Sequence, residues 1–171
     1  MLRLILFRHA KSDWSDVSRP DQERPLTNRG IRAARTMGQF LAAIDQVPQV
    51  ALTSSAKRAR DSVDLARRQG GWQCDQRVEP RLYTFEADDL LDAVQSLQDV
   101  PPRLLITGHE PAFSGLAARL IGGARLRIPT GCMARIDLEV DDWSEVEPGC
   151  GEMRWLMPPK LLTRAGISFR R

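Results

Sequence analysis

Apolar residues fall along this chain in short runs and at two periods, and the change of period divides it. Residues 2–7 read Leu-Arg-Leu-Ile-Leu-Phe, a run with no turn residue inside it. Such a run predicts a buried strand. Residues 50–53 and 103–107 repeat the pattern. Between these runs the spacing becomes helical. From Asn28 onward, Ile31, Ala34, Gly38, Leu41 and Ala42 share one face, Arg29, Arg32, Arg35 and Gln39 point away, and Pro48 marks the end. After residues 50–53, Ser54-Ser55 offers a helix N-cap. The helix that follows carries Ala59, Val63 and Ala66 inward and stops at Gly70-Gly71. Residues 78–85 read as a short extended piece. It leads to a helix over 87–97 that buries Leu90, Leu91, Val94 and Leu97 and closes at Pro101-Pro102. Pro111 suits the start of a further helix, which buries Phe113, Leu116, Ala117 and Leu120 and ends at Gly122-Gly123. Period two takes over in residues 133–140 and 151–157, across a turn-rich 141–149, as in an antiparallel hairpin at a sheet edge. The predicted fold is a three-layer α/β/α sandwich: a mostly parallel sheet with a C-terminal antiparallel hairpin, in a single domain spanning residues 1–171.

In open α/β sheets the chemistry sits beyond the carboxyl ends of the strands. The first strand runs into Arg8-His9-Ala10, and residues 103–107 run into Gly108-His109-Glu110. His9 and His109 are the only histidines in the chain, and both stand at a strand end. If those strands are parallel neighbours, residues one hundred positions apart meet over one sheet edge. Arg58, in the first turn of its helix, can reach back to the same edge, whereas Arg60 lies ~200° further round and faces elsewhere. The polar connection over residues 11–27 is long for a compact domain, which suggests a functional segment.

Composition narrows the field. The chain is 42% hydrophobic and 27% charged, ordinary for a globular protein. Residues 2–7 are too short for a membrane span or a secretory signal, so a cytoplasmic protein with no membrane partner is expected. Cys74, Cys132 and Cys150 form no C-x-x-C pair, and three reduced thiols, at least one buried, are expected. The net charge is +3, with basic clusters at 58–68 and 164–171. With one tyrosine and no aromatic–basic stripe, those clusters read as solvated faces, and no nucleic-acid partner is expected. The positive balance suits a small phosphorylated substrate. His9 and His109 with Asp13, Asp16 or Glu110 could ligate a metal. There is no His-x-x-x-His spacing, however, and the flanking arginines would repel a cation, so neither a metal nor another cofactor is expected.

Four motifs in order complete the picture: Arg8-His9-Ala10, Arg24-Pro25-Leu26-Thr27-Asn28-Arg29-Gly30, Ser54-Ser55-Ala56-Lys57-Arg58-Ala59 and Gly108-His109-Glu110. Together they resemble the histidine phosphatase superfamily, with its phosphoglycerate mutase-like fold, and most closely its small SixA-type phosphohistidine phosphatase branch. The resemblance implies that His9 is the nucleophile, that Arg8 and Arg58 clamp the transferring phosphoryl group, and that His109 hydrogen-bonds its oxygens. The family's glycine after the nucleophile is here Ala10. An asparagine that often contacts phosphate is here Ser15, a weaker candidate for substrate binding. The family's glutamate general acid falls at Thr84, which cannot deliver a proton near neutral pH. Glu86 is the nearest substitute, ahead of Asp88 and Asp89, although all three suit a solvated helix N-terminus. The implied activity is a metal-independent phosphatase acting through a phosphohistidine intermediate, on phosphohistidine in phosphoproteins. Two alternatives remain: a general small-molecule phosphomonoesterase, and a non-catalytic phosphate-binding module.

Overall fold

In the computed structural model, which describes residues 1–167 and Phe169, six strands form one sheet in the order β3-β2-β4-β1-β5-β6. The strands are β1 (Leu2–Arg8), β2 (Val50–Thr53), β3 (Asp75–Val78), β4 (Arg103–Gly108), β5 (Met133–Leu138) and β6 (Gly151–Met157). The helices are α1 (Asn28–Ala43), α2 (Lys57–Gly70), α3 (Ala87–Gln95), α4 (Ala112–Leu120) and α5 (Pro159–Arg164). β1 through β4 pair in parallel, and β5 and β6 add an antiparallel hairpin, with β5 alongside β1.

Alternation along the central strands assigns the layers. Leu4 and Leu6 of β1, with Leu104 and Ile106 of β4, pack under Leu90 and Val94 of α3 and Phe113 and Leu116 of α4. Ile5, Phe7 and Leu105 point the other way, onto Ala34, Met37 and Leu41 of α1 and Val63 and Ala66 of α2. A strand buried on both faces reads as an unbroken apolar run, and this is why β1 and β4 stand out in the sequence. α1 and α2 pack very closely. A Cβ at Gly38 would lie 2.0 Å from the Ala66 carbonyl oxygen, so that crossing requires glycine.

Some expectations need correction. The extended piece lies at Asp75–Val78 rather than 78–85, and residues 80–82 form a 3₁₀ turn. β3 is a polar edge strand with an exposed Val78, so no apolar alternation marks it. α2 begins at Lys57, one or two residues later than a cap at Ser55 or Ser54 requires. Its N-cap is Ala56, with no side-chain cap; the Ser54 hydroxyl accepts from Ala56 N–H at 3.3 Å, ahead of the helix, and bonds to His109. Pro111 takes the N-cap position of α4, and Leu97 lies beyond the end of α3. α5 was unforeseen: six residues hold too little periodicity to show. Cys74, Cys132 and Cys150 are free thiols, the first two buried. Among the described residues no helix is long and apolar enough to cross a membrane. Of the basic C-terminal cluster, Arg170 and Arg171 lie outside the described residues.

Candidate active site

The β1–β4 register builds the site. Arg8 is the partner of Gly108, so the next residue on each strand is a histidine. The two imidazole rings stand 5.1 Å apart, between centroids. They line a cleft of about 470 Å³ together with Arg8, Arg58, Asp21, Tyr83 and Glu110. The structure therefore brings Arg8, His9, Arg58 and His109 together. Arg60 does not line the cleft, in keeping with its place on the far side of α2.

Hydrogen bonds settle the state of both rings. His9 Nδ1 lies 2.8 Å from the Ala10 carbonyl oxygen. A carbonyl only accepts, so Nδ1 carries the proton and Nε2 keeps a bare lone pair. Arg58 Nε–H donates to that lone pair at 3.3 Å. The same guanidinium donates from a terminal nitrogen to His109 Nδ1, also at 3.3 Å. His109 must then carry its proton on Nε2, where it donates to Ser54 Oγ at 2.8 Å. Protonating His9 Nε2 or His109 Nδ1 would set donor against donor, so the geometry requires neutral imidazoles. Burial, then the charges of Arg58 and Arg8, push His9 down to about 4. His109 is pushed down in the same way, by burial, by His9 and by Arg58.

Arg58 is only 3% exposed and is held from both sides. Its terminal nitrogens donate to the Asp21 carbonyl at 2.6 Å and to Asp21 Oδ2 at 2.8 Å. Tyr83 O–H donates to the same Oδ2 at 2.7 Å. Burial favours the neutral Asp21 carboxyl, but the bonds from Tyr83 and Arg58 outweigh it and hold Asp21 below the usual carboxylate range. Ser62 ties α2 to the loop after β1: its hydroxyl donates to the Arg58 carbonyl at 2.6 Å and accepts from Ala10 N–H at 2.9 Å. Arg8 donates to the Ile128 carbonyl at 2.8 Å, which fixes its direction across the cleft mouth.

The second motif acts on the backbone. Thr27 caps α1 by accepting from Gly30 N–H at 3.0 Å, and Thr27 N–H donates to the Lys11 carbonyl at 2.9 Å. A Cβ at Gly30 would lie 2.2 Å from that carbonyl oxygen. Threonine and glycine at this spacing therefore let the chain return beside residue 11. The buried Arg24 lies over the Trp14 ring, with 4.1 Å between Cζ and the ring centroid, and donates to the Asp16 carbonyl.

Two candidate residues fall outside this group. Ser15 is exposed, its N–H donates to Asp13 Oδ1, and it does not line the cleft. The chain turns outward after Ser12, which bridges to Leu26 and does line it. Glu86 is the exposed N-cap of α3 and also lies outside the lining. Asp88 is turned away in an ion pair with Arg119, and Asp89 accepts from Thr84. The cleft carboxylates are instead Asp21 and Glu110. Glu110 accepts from Ser114 at 2.5 Å, and its other oxygen is buried with no hydrogen-bond partner among the described residues. Asp21, Tyr83 and Ser62 have no local signal in the sequence as site residues, and Ser54 is expected there only as a helix cap. Only the length of the 11–27 connection hinted at Asp21.

The family model described as the histidine phosphatase superfamily (branch 1) matches residues 4–95, more than half of the chain. An uncharacterized protein of Mycobacterium tuberculosis is 33% identical over 156 residues, covering 85% of this chain and 95% of its own. An uncharacterized chloroplastic protein of Arabidopsis thaliana is 29% identical, covering 92% of this chain and 78% of its own. Among solved structures, the protein histidine phosphatase SixA complexed with tungstate superposes with a TM-score of 0.78 at 24% identity, covering 94% of this chain and 99% of its own. That last likeness is one of fold.

Proposed function

Because the chain belongs to the histidine phosphatase superfamily (branch 1), we propose that it is a metal-independent phosphatase that forms a phosphoryl-enzyme on His9, with phosphohistidine in proteins as its substrate. The observation that carries this reading is the His9 tautomer: Nδ1–H donates to the Ala10 carbonyl and leaves Nε2 with a lone pair inside a cationic cleft.

The chemistry follows from the donors. A transferring phosphoryl group keeps negative charge on its oxygens throughout, so catalysis rests on position and charge. Arg8, Arg58 and, through its ring, His109 face the volume that the group would fill. In the free site Arg58 donates to the His9 lone pair. A bound phosphoryl oxygen competes for that N–H and releases the lone pair for in-line attack. As the Nε2–P bond forms, the bond to the leaving atom breaks and its electron pair departs with the leaving group. The ring gains positive charge, which the Ala10 carbonyl stabilises through Nδ1–H. Water then attacks phosphorus, the Nε2–P bond breaks, and its electron pair returns to the ring.

The leaving group decides the substrate class. Of the two cleft carboxylates, Asp21 is held as an anion under Arg58 and Tyr83, while Glu110 accepts from Ser114 through one oxygen and leaves the other without a partner among the described residues. The family's glutamate position is Thr84 and Glu86 lies outside the cleft, so groups that depart without help from an acid are favoured. Phosphohistidine is one, because its imidazole nitrogen can take a proton from solvent, whereas an alkoxide is a poor leaving group. The same reading places the protein in the cytoplasm, where three free thiols stay reduced. The test is kcat/KM on a phosphohistidine peptide, an aryl phosphate and a sugar phosphate. The first two should exceed the third by about 100-fold, or ~2.7 kcal/mol of barrier. Equal values for all three would favour a general phosphomonoesterase.

A further inference from the structure

Beside the catalytic cleft runs a second groove of about 580 Å³, between the start of α1, the segment around Pro129 and the start of α5. Lys11 and Thr130 line both, so the groove adjoins the cleft. Its charged lining is all of one sign, Lys11, Arg29, Arg32 and Lys160, over an apolar floor that includes Pro129 and Pro159. Among the described residues none of these four cations ion-pairs with a carboxylate. Arg29 lies in the first turn of α1, a turn with no acidic residue, where the helix dipole already presents positive charge. Helix stability disfavours a cation there, so an anion bound beside Arg29 would relieve that cost.

We propose that this groove binds an acidic segment of the phosphoprotein substrate, next to the phosphorylated residue. The inference rests on the reading of the cleft as a phosphohistidine phosphatase site. One phosphorylated side chain fills the cleft, and the groove takes the chain that continues from it. The other rim points to a protein rather than a metabolite. Trp14 and Phe85, 58% and 43% exposed, line the catalytic cleft. Exposed aromatics together with arginines are what protein interfaces favour. The four groove cations, without an ion-pair partner among the described residues, select for acidic residues, and exposed charges of this kind act through affinity and on-rate, weakening with salt.

The test uses two phosphohistidine peptides of equal length, one with Asp and Glu beside the histidine and one with Ser and Gln. Both are assayed on the wild type and on Arg29→Glu/Arg32→Glu. An aryl phosphate, which has no second anion, serves as the reference within each variant for fold and chemistry. The wild type should favour the acidic peptide by about tenfold or more in kcat/KM, mainly through KM. In the double variant that ratio should fall to about one or below, while Arg29→Lys/Arg32→Lys should retain most of it. Equal kcat/KM on the two peptides in the wild type would overturn the proposal and leave the phosphohistidine reading intact. So would a preference that survives charge reversal. Cleavage of the aryl phosphate but of neither peptide would overturn the phosphohistidine reading and this proposal with it. A small bisphosphate preferred over both peptides, and sensitive to the charge reversal, would reassign the groove to a metabolite.

Discussion

Arg58→Ala removes the side chain on which the cleft converges. One guanidinium bonds to His9 Nε2, His109 Nδ1 and both the carbonyl and the carboxylate of Asp21. Losing a single preorganised donor to a transition-state oxygen costs ~2.7–4 kcal/mol, or about 10²–10³ in rate. Arg58 adds a second effect. Its charge is among the causes that push His9 down, so without it the imidazole protonates more readily. The variant should therefore lose at least ~100-fold in kcat/KM near pH 7.5, and its acid limb should move to higher pH than in the wild type. Arg58→Lys keeps a charge but not the fork, and should recover the pH profile better than the rate. Arg60→Ala, on the far side of α2, should change kcat/KM by less than about threefold. The assay is hydrolysis of an aryl phosphate by all three variants from pH 5 to 9, with thermal unfolding to confirm the fold. A loss of less than about tenfold in Arg58→Ala, or equal losses in Arg58→Ala and Arg60→Ala, would refute the clamp.

His9 is held down to about 4, against an unfolded-state value of ~6.5, so below that the unfolded chain binds a proton that the folded protein refuses. Stability should fall as pH drops from ~6.5 and level off near the folded value, with a contribution from His9 on the order of 3 kcal/mol. Tm measured from pH 7 to 4.5 should decline less in His9→Gln than in the wild type, and parallel curves would show that the ring is not neutral. A plot of log kcat/KM against leaving-group pKa should fall steeply and stay unchanged in Glu86→Gln. A flat plot that steepens in Glu86→Gln or Glu110→Gln would identify the missing acid. EDTA should leave activity unchanged; loss of activity restored by a divalent metal would overturn the metal-independent mechanism.

What the sequence reveals of this site follows from how each residue acts. His9 and His109 each directly follow a strand buried on both faces, so an apolar run points straight at the cleft. Arg58 is legible because one helical turn sets its direction. Asp21, Tyr83 and Ser54 act through partners 37, 62 and 55 residues away, and no local pattern records such contacts. Ser15 misleads because counting along the chain ignores where it turns: the Ser12–Leu26 bridge sends the next residues into solvent. β3 hides because it is a polar edge strand, and Ser54 offers itself as a cap while serving His109.

The central claim is that His9 Nε2 carries the phosphoryl group during turnover. Brief exposure to a ³²P-labelled phosphodonor, followed by alkaline quench and proteolysis, reports it directly. Acid-labile, alkali-stable label should appear on the peptide that contains His9, absent from His9→Ala and present in His109→Ala. Label on His109, or none on a protein that turns over the same donor, would contradict it.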